Sequence, residues 1–301
     1  MHSLLTFIQA FNMRTYILAI LILISFTACG GGGGGGGTSA ALQFTSSGSG
    51  SAASASFAAG NSTTDMFNNR NGSSITYSYG PNGLTFSASK PGLYGEAINN
   101  MTISSGSRST DTVGWDSTNY SYDYTSGTRN GIITVAIPTN YTELFGLAWA
   151  IDSPTVDYYV VTTMAVGNYG STPYASLPSS GSATYTGEMS GIYIKSYFSG
   201  GTDSVNNLTG AVSIAANWAS KTVNVSATPI IGSTTYGTLT GSNGSIDSNS
   251  SFSLNIGGGG FTGSMRGIFA GSNYTEVGGV LVITEGGLSY NGGNASFMAK
   301  R

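Results

Sequence analysis

"GAVSIAANWASKTVNVSAT" (residues 210–228) is the stretch whose reading decides the fold. Val212, Ile214 and Trp218 alternate with Ser213 and Asn217. After a short polar turn, Val223 and Val225 alternate with Thr222, Asn224 and Ser226. A period of two puts the apolar side chains on one face of a strand and the hydroxyls and amides on the other. The stretch therefore reads as a hairpin with one dry face. The pattern extends in both directions. "ATYTGEMSGIYI" (183–194) sets Tyr185, Met189 and Tyr193 against Thr184, Thr186, Glu188 and Ser190, and "SFSLNI" (251–256) sets Phe252, Leu254 and Ile256 against serines and Asn255. Runs at 236–241, 261–269, 276–284 and 294–300 bring the strands to eight. An antiparallel barrel is the natural closure, because it leaves no free edge. Gly187, Gly191, Gly263 and Gly267 fall inside strands, where a small barrel bends sharply.

Composition agrees with a folded all-β chain. Only 8% of residues are charged and 46 are glycine, which suits strands joined by Gly/Asn/Ser turns. Eighteen Tyr and thirteen Phe set the chain apart from disordered sequences, which are poor in aromatics. A formal charge of −3 offers no basic face to a phosphate backbone, so nucleic acid is excluded as a partner. The single cysteine, Cys29, allows no internal disulfide and no thiolate metal cluster. The single histidine, His2, precedes any mature domain. Histidine-based catalysis, a Ser-His-Asp arrangement and most zinc chemistry are thereby removed, and neither a cofactor nor a metal is expected.

Upstream of about residue 60 the chain changes character. "YILAILILI" (16–24) is an uncharged run too short to span a bilayer comfortably but suited to the apolar core of a signal peptide. Its positive flank appears if translation starts at Met13, which places Arg14 before the run. Residues 1–28 are expected to be this signal. "FTAC" (26–29) resembles a bacterial lipobox, with Thr27 and Ala28 before a cysteine that is lipidated and becomes the new N-terminus; Phe26 departs from the usual Leu. Eight glycines follow at once, and Gly30, in place of an Asp, favours outer-membrane sorting under this resemblance. Residues 29–60 read as the lipidated cysteine and a Gly/Ser-rich tether with a root-mean-square span of about 30 Å.

Between tether and barrel, "GIITVAIP" (131–138) and "DYYVVTTMAVG" (157–167) read as strands, and "GPNG" (80–83) and "KPG" (90–92) as turns. "YTELFGLAWAI" (141–151) is expected to be a short helix.

The barrel half resembles the transferrin-binding protein B-like lipoproteins. "TPYASLPSSGSATYTGEMSG" (172–191) is similar to the run that opens their first barrel strand, and residues 208–226 to the next hairpin. "GSMRGIFAGSNYTEVGGVLVI" (263–283) resembles their Glu-x-Gly-Gly segment, and "NASFMAKR" (294–301) their closing strand. Ala270, Ser272 and Asn217 depart from the aromatic, the proline and the acidic residue usual there. The resemblance implies an N-terminal β-rich handle-like domain (61–167) followed by an eight-stranded antiparallel β-barrel (168–301).

It further implies a non-enzymatic binding module. The expected place is lipid-anchored at the outer membrane and exposed at the cell surface. The ligand would be a host iron carrier, a haem protein or a similar solute, and the partner a TonB-dependent receptor. The alternative is a structural barrel spanning the outer membrane, or a surface antigen without a dedicated ligand. No ligand-binding residue follows from the resemblance.

Other candidate sites have plainer readings. Asp111, Asp116 and Asp123 lack the spacing of a calcium loop and suit turn hydrogen bonds. Glu276 and Glu285 could be set up as a glycosidase pair, but a role in barrel closure fits the Glu-x-Gly-Gly segment. Gly257–Gly260 lacks the ending of a phosphate loop and reads as a hairpin turn. The tyrosines of "NYSYDY" (119–124), with Tyr158 and Tyr159, could serve as contact surface or as ordinary sheet packing. The Asn-x-Ser/Thr triplets at Asn61, Asn207 and Asn273 follow from composition.

Overall fold

The computed structural model describes the strands between residues 47 and 167, together with residue 141, and residues 177–195 and 204–301 apart from 249, 272 and 287. Every regular element among the described residues is a strand, and they form two antiparallel sheets. The first holds β1 (Ser47–Ala59), β2 (Phe67–Gly80), β3 (Gly83–Ser89), β4 (Ile98–Ile103), β5 (Asn119–Ser126), β6 (Arg129–Ala136), β7 (Leu144–Ile151) and β8 (Tyr158–Gly167), in the order β4-β3-β2-β1-β8-β7-β6-β5. The second holds β9 (Ser182–Lys195), β10 (Ser204–Asn217), β11 (Thr222–Ile231), β12 (Thr234–Thr235), β13 (Leu239–Ile246), β14 (Ser251–Gly258), β15 (Phe261–Ala270), β16 (Glu276–Glu285) and β17 (Leu288–Lys300). Pairing of β10 with both β9 and β11 closes this sheet into an eight-stranded barrel, with the two-residue β12 as an appendage on β11.

Two expectations change. Residues 144–151 form a strand rather than a helix, paired with β6 on one side and β8 on the other. An eight-residue apolar run carries no period that separates the two states, and hydrogen-bonding partners on both edges decide it. The strand β1 takes up residues 47–59, the second half of the stretch whose composition reads as tether, and lies centrally between β2 and β8. The signal segment, Cys29, Asn61, Asp111, Asp116 and the turn at 90–92 lie outside the described residues.

The barrel's register follows from its dry face. Val212, Ile214 and Ala216 stand opposite Ala227, Val225 and Val223, and all six are buried. The same parity holds around the ring, so one apolar cluster fills the interior from Tyr185, Met189 and Tyr193 through Phe252 and Phe269 to Leu281 and Phe297. Burying each of these large side chains contributes about 1.5–3 kcal/mol. The interior glycines act through close approach. A Cβ on Gly187 would lie 1.9 Å from the Met298 carbonyl oxygen, and one on Gly263 1.9 Å from that of Val282. The strands coil so tightly here that only hydrogen fits.

Candidate binding surfaces

The barrel offers two ends and two outer flanks, and each is built differently. At the end where β10 turns into β11, aromatic rings form a plug. Trp218 and Phe269 meet with centroids 4.9 Å apart, Tyr185 and Phe252 flank Phe269 at 5.4 and 5.6 Å, and Tyr274 lies 5.4 Å from Trp218. The Tyr185 hydroxyl donates to the Tyr274 carbonyl. Burial pushes this hydroxyl up to about 12, only partly offset by the Arg301 charge. Asn217 organises the adjoining turn: its Oδ1 accepts from the N–H groups of Ala219 and Ser220 at 3.1 and 3.2 Å. A side-chain acceptor is what this position uses, and Asn supplies it without charge.

At the opposite end polar side chains gather around Glu285. The Tyr193 hydroxyl and the Asn291 side-chain amide both donate to Oε2 of Glu285, at 2.9 and 3.0 Å. Burial, then the hydrogen bond and charge of Glu285, hold the Tyr193 hydroxyl well above its ordinary value. Phe261 packs edge-on between Tyr193 and Tyr236, with centroids 6.0 and 5.1 Å away. Gly257–Gly260 makes the β14–β15 turn, as its sequence suggests. Gly259 has φ +60°, and a Cβ there would lie 2.3 Å from the Gly237 carbonyl oxygen, so this turn presses on the 237–238 segment.

Glu276 and Glu285 stand at the two ends of β16, roughly 30 Å apart at 3.3 Å per residue. A glycosidase pair needs its carboxyls within about 5–10 Å, so the two cannot act together. Among the described residues no group of three or more His, Cys, Asp or Glu side chains is placed to hold a metal.

The outer flanks differ more sharply. Around β10–β14 the outward positions include Ala211, Ser213, Ala215, Asn224, Ser226, Thr228, Thr240, Ser242, Ser253 and Asn255, exposed or half-buried and without charge, with the half-buried Ile230 as a large aliphatic among them. A barrel that spans a lipid bilayer needs an outward apolar band, with its polar residues inside. This flank has the reverse polarity, which counts against the membrane-spanning reading.

Around β15–β17 the outward positions are buried instead. Every residue of β16 from Glu276 to Ile283 is buried, although alternate side chains point away from the barrel interior. The outward set includes Ile268, Val280, Val282, Asn294, Ser296 and Met298. Strands β1, β7 and β8 of the first sheet lie against this flank. Leu144 packs with Ile268, Ala270 and Met298, Tyr141 adjoins them, and the Lys300 ammonium stands 5.9 Å over the Tyr141 ring. Burial first, then the charges of Glu276 and Glu188, push the Tyr141 hydroxyl up to about 12.

Of the tyrosines singled out in the sequence, the "NYSYDY" segment falls in β5 at an edge of the first sheet, together with Asp123, and Tyr158 and Tyr159 begin the central β8. The Tyr193–Glu285–Asn291 cluster is not apparent in the sequence, because pairing joins residues roughly a hundred positions apart.

No protein-family model and no curated protein matches the chain. Solved structures do. A double mutant of the vaccine antigen transferrin-binding protein B from Haemophilus parasuis is similar at 16% identity and a TM-score of 0.44, over 78% of this chain and 47% of that one. Isotype 1 transferrin-binding protein B from serogroup B Neisseria meningitidis is similar at 14% identity and a TM-score of 0.43, over 83% and 43%. HpuA from Kingella denitrificans, solved in complex with human haemoglobin, is similar at 14% identity and a TM-score of 0.42, over 83% and 87%. The chain spans less than half the length of the two transferrin-binding protein B chains.

Proposed function

We propose that this chain is a surface-exposed lipoprotein of the outer membrane, held by acyl chains on Cys29, that captures a host iron-carrying or haem-carrying protein by non-covalent contact. The observation that carries this reading is the barrel's polarity: aromatic and aliphatic side chains fill its interior, while uncharged Ser, Thr and Asn side chains line its open flank. A filled interior gives a small solute nowhere to sit inside the barrel, so recognition falls to the outer surface and the connections at the polar end. The lipobox-like "FTAC" and the eight glycines support an anchored and loosely tethered barrel. A TonB-dependent receptor that accepts the released iron or haem would complete the role.

Two measurements test it. The mature chain with Cys29→Ser is expected to stay in buffer without detergent and, immobilised, to retain an iron-carrying or haem-carrying protein from host serum. Retention of nothing from serum and no binding of haem would sink the capture reading. The unsubstituted chain is expected to incorporate labelled palmitate, and the Cys29→Ser chain none; equal labelling of both would remove the anchor.

A further inference from the structure

The two edges of the first sheet are not equivalent. At one edge, β4 has six residues, and its register with β3 breaks between Phe86 and Ala88. A short strand with an irregular register is a poor template for a further strand. At the other edge, β5 pairs with β6 over eight consecutive positions without a break, from Asn119↔Ala136 to Ser126↔Arg129. Its sequence, "NYSYDYTS", contains no Lys, no Pro and no Gly, and its one charge is Asp123. Among the described residues no strand lies beyond it. Among the described residues, then, one edge is guarded and the other presents a regular row of backbone donors and acceptors.

We propose that β5 joins two copies of this chain edge to edge into one continuous antiparallel sheet. Symmetry and charge select the register. A two-fold axis perpendicular to the sheet keeps each residue on its own face, so a position can stand opposite only positions of its own parity. Two such registers overlap most of the strand, one centred on Tyr122 and one on Asp123. Centring on Asp123 sets two carboxylates directly opposite each other, which destabilises the pair. Centring on Tyr122 sets Tyr122 against its own copy, Tyr120 against Tyr124 of the second copy, and Asp123 against Ser121. Cross-strand aromatic pairs are favourable, and no like charges meet. The chain's low charge density, 8% of residues, leaves little repulsion between copies. Because β4 is guarded, the contact uses one edge per copy and closes as a dimer, where two open edges would give a fibre.

Cysteine scanning and sedimentation on the full chain test this. With Cys29→Ser as background, Tyr122→Cys is expected to form a covalent dimer under mild oxidation. Ser121→Cys, which leaves the Asp123 charge in place, is expected to form no disulfide, because in this register its two copies are offset along the strands by about 7 Å, beyond disulfide reach. In sedimentation equilibrium the chain is expected to show a concentration-dependent dimer. Tyr122→Phe should keep it, and Tyr122→Lys should weaken it by about tenfold or more. A monomer at every concentration would overturn the proposal. So would cross-linking at Ser121→Cys equal to or above that at Tyr122→Cys. If Tyr122→Lys fails to fold, the two cysteine variants decide alone.

Discussion

The barrel has one interior and two kinds of exterior. Around β10–β14 the outward side chains are mostly small, hydroxylated or amidic, and in contact with water; around β15–β17 the same outward parity carries Val280, Val282, Ile268 and Met298, fully or almost fully buried. Both sides belong to the same closed antiparallel ring, so closure cannot explain the difference. What differs is the neighbour: among the described residues the first sheet lies over β15–β17 and not over β10–β14. The outer residues of a barrel thus record what it faces, whereas its inner residues record only that it closes.

The contrast predicts unequal responses to the same kind of change. Met298→Asp buries a carboxylate beneath the first sheet, directly opposite Gly278 on one side and the like charge of Glu188 on the other, and is expected to cost on the order of 3–5 kcal/mol in denaturant unfolding. An effect as small as that of an exposed substitution would mean that the flank is open in solution. Alkaline pH should reveal the covered flank and the plug together. Tyr141 and Tyr185 both have hydroxyls held near 12 against an ordinary 10.0, so folding favours their neutral forms. Their contribution is complete below pH 10 and is lost as pH rises from 10 through about 12. Unfolding curves across that window should show falling stability, and Tyr141→Phe should remove the part of the slope that belongs to the covered flank. An unchanged slope would dissociate Tyr141 from that flank.

At the polar end, Tyr193→Phe removes one donor to Glu285 while Asn291 keeps the other, and should cost about 1 kcal/mol. The smallest effect belongs to the bare flank: Ser226→Asp should change stability by no more than about 0.5 kcal/mol. A large loss there would show that something covers this flank too.

How much of this was legible depended on what each residue's state required. The inward parity of Val212, Ile214, Val223 and Val225 could be read directly, because a strand with one wet face must alternate. The covered flank left a fainter mark in "EVGGVLVITE" (276–285), whose nearly continuous apolar run is what burial on both faces demands. Segment 144–151 misled because a short apolar run fits either state, and β1 was hidden because "SGSGSAASASFAA" has little strand preference of its own. Its strand state comes from β2 and β8, which bracket it. The Tyr193–Glu285–Asn291 cluster needed register across distant strands, which composition does not carry.

Both sheets tie their first strand to their last: β1 pairs with β8, and β9 with β17, over roughly a hundred residues in each case. Neither unit can therefore complete while its final strand is missing. A chain emerging N-terminus first, from a ribosome or through a membrane pore, would remain without a closed barrel until Lys300 arrived. The first sheet can complete once Gly167 has emerged, and the barrel only once Lys300 has, so the topology sets an order in which the two units fold.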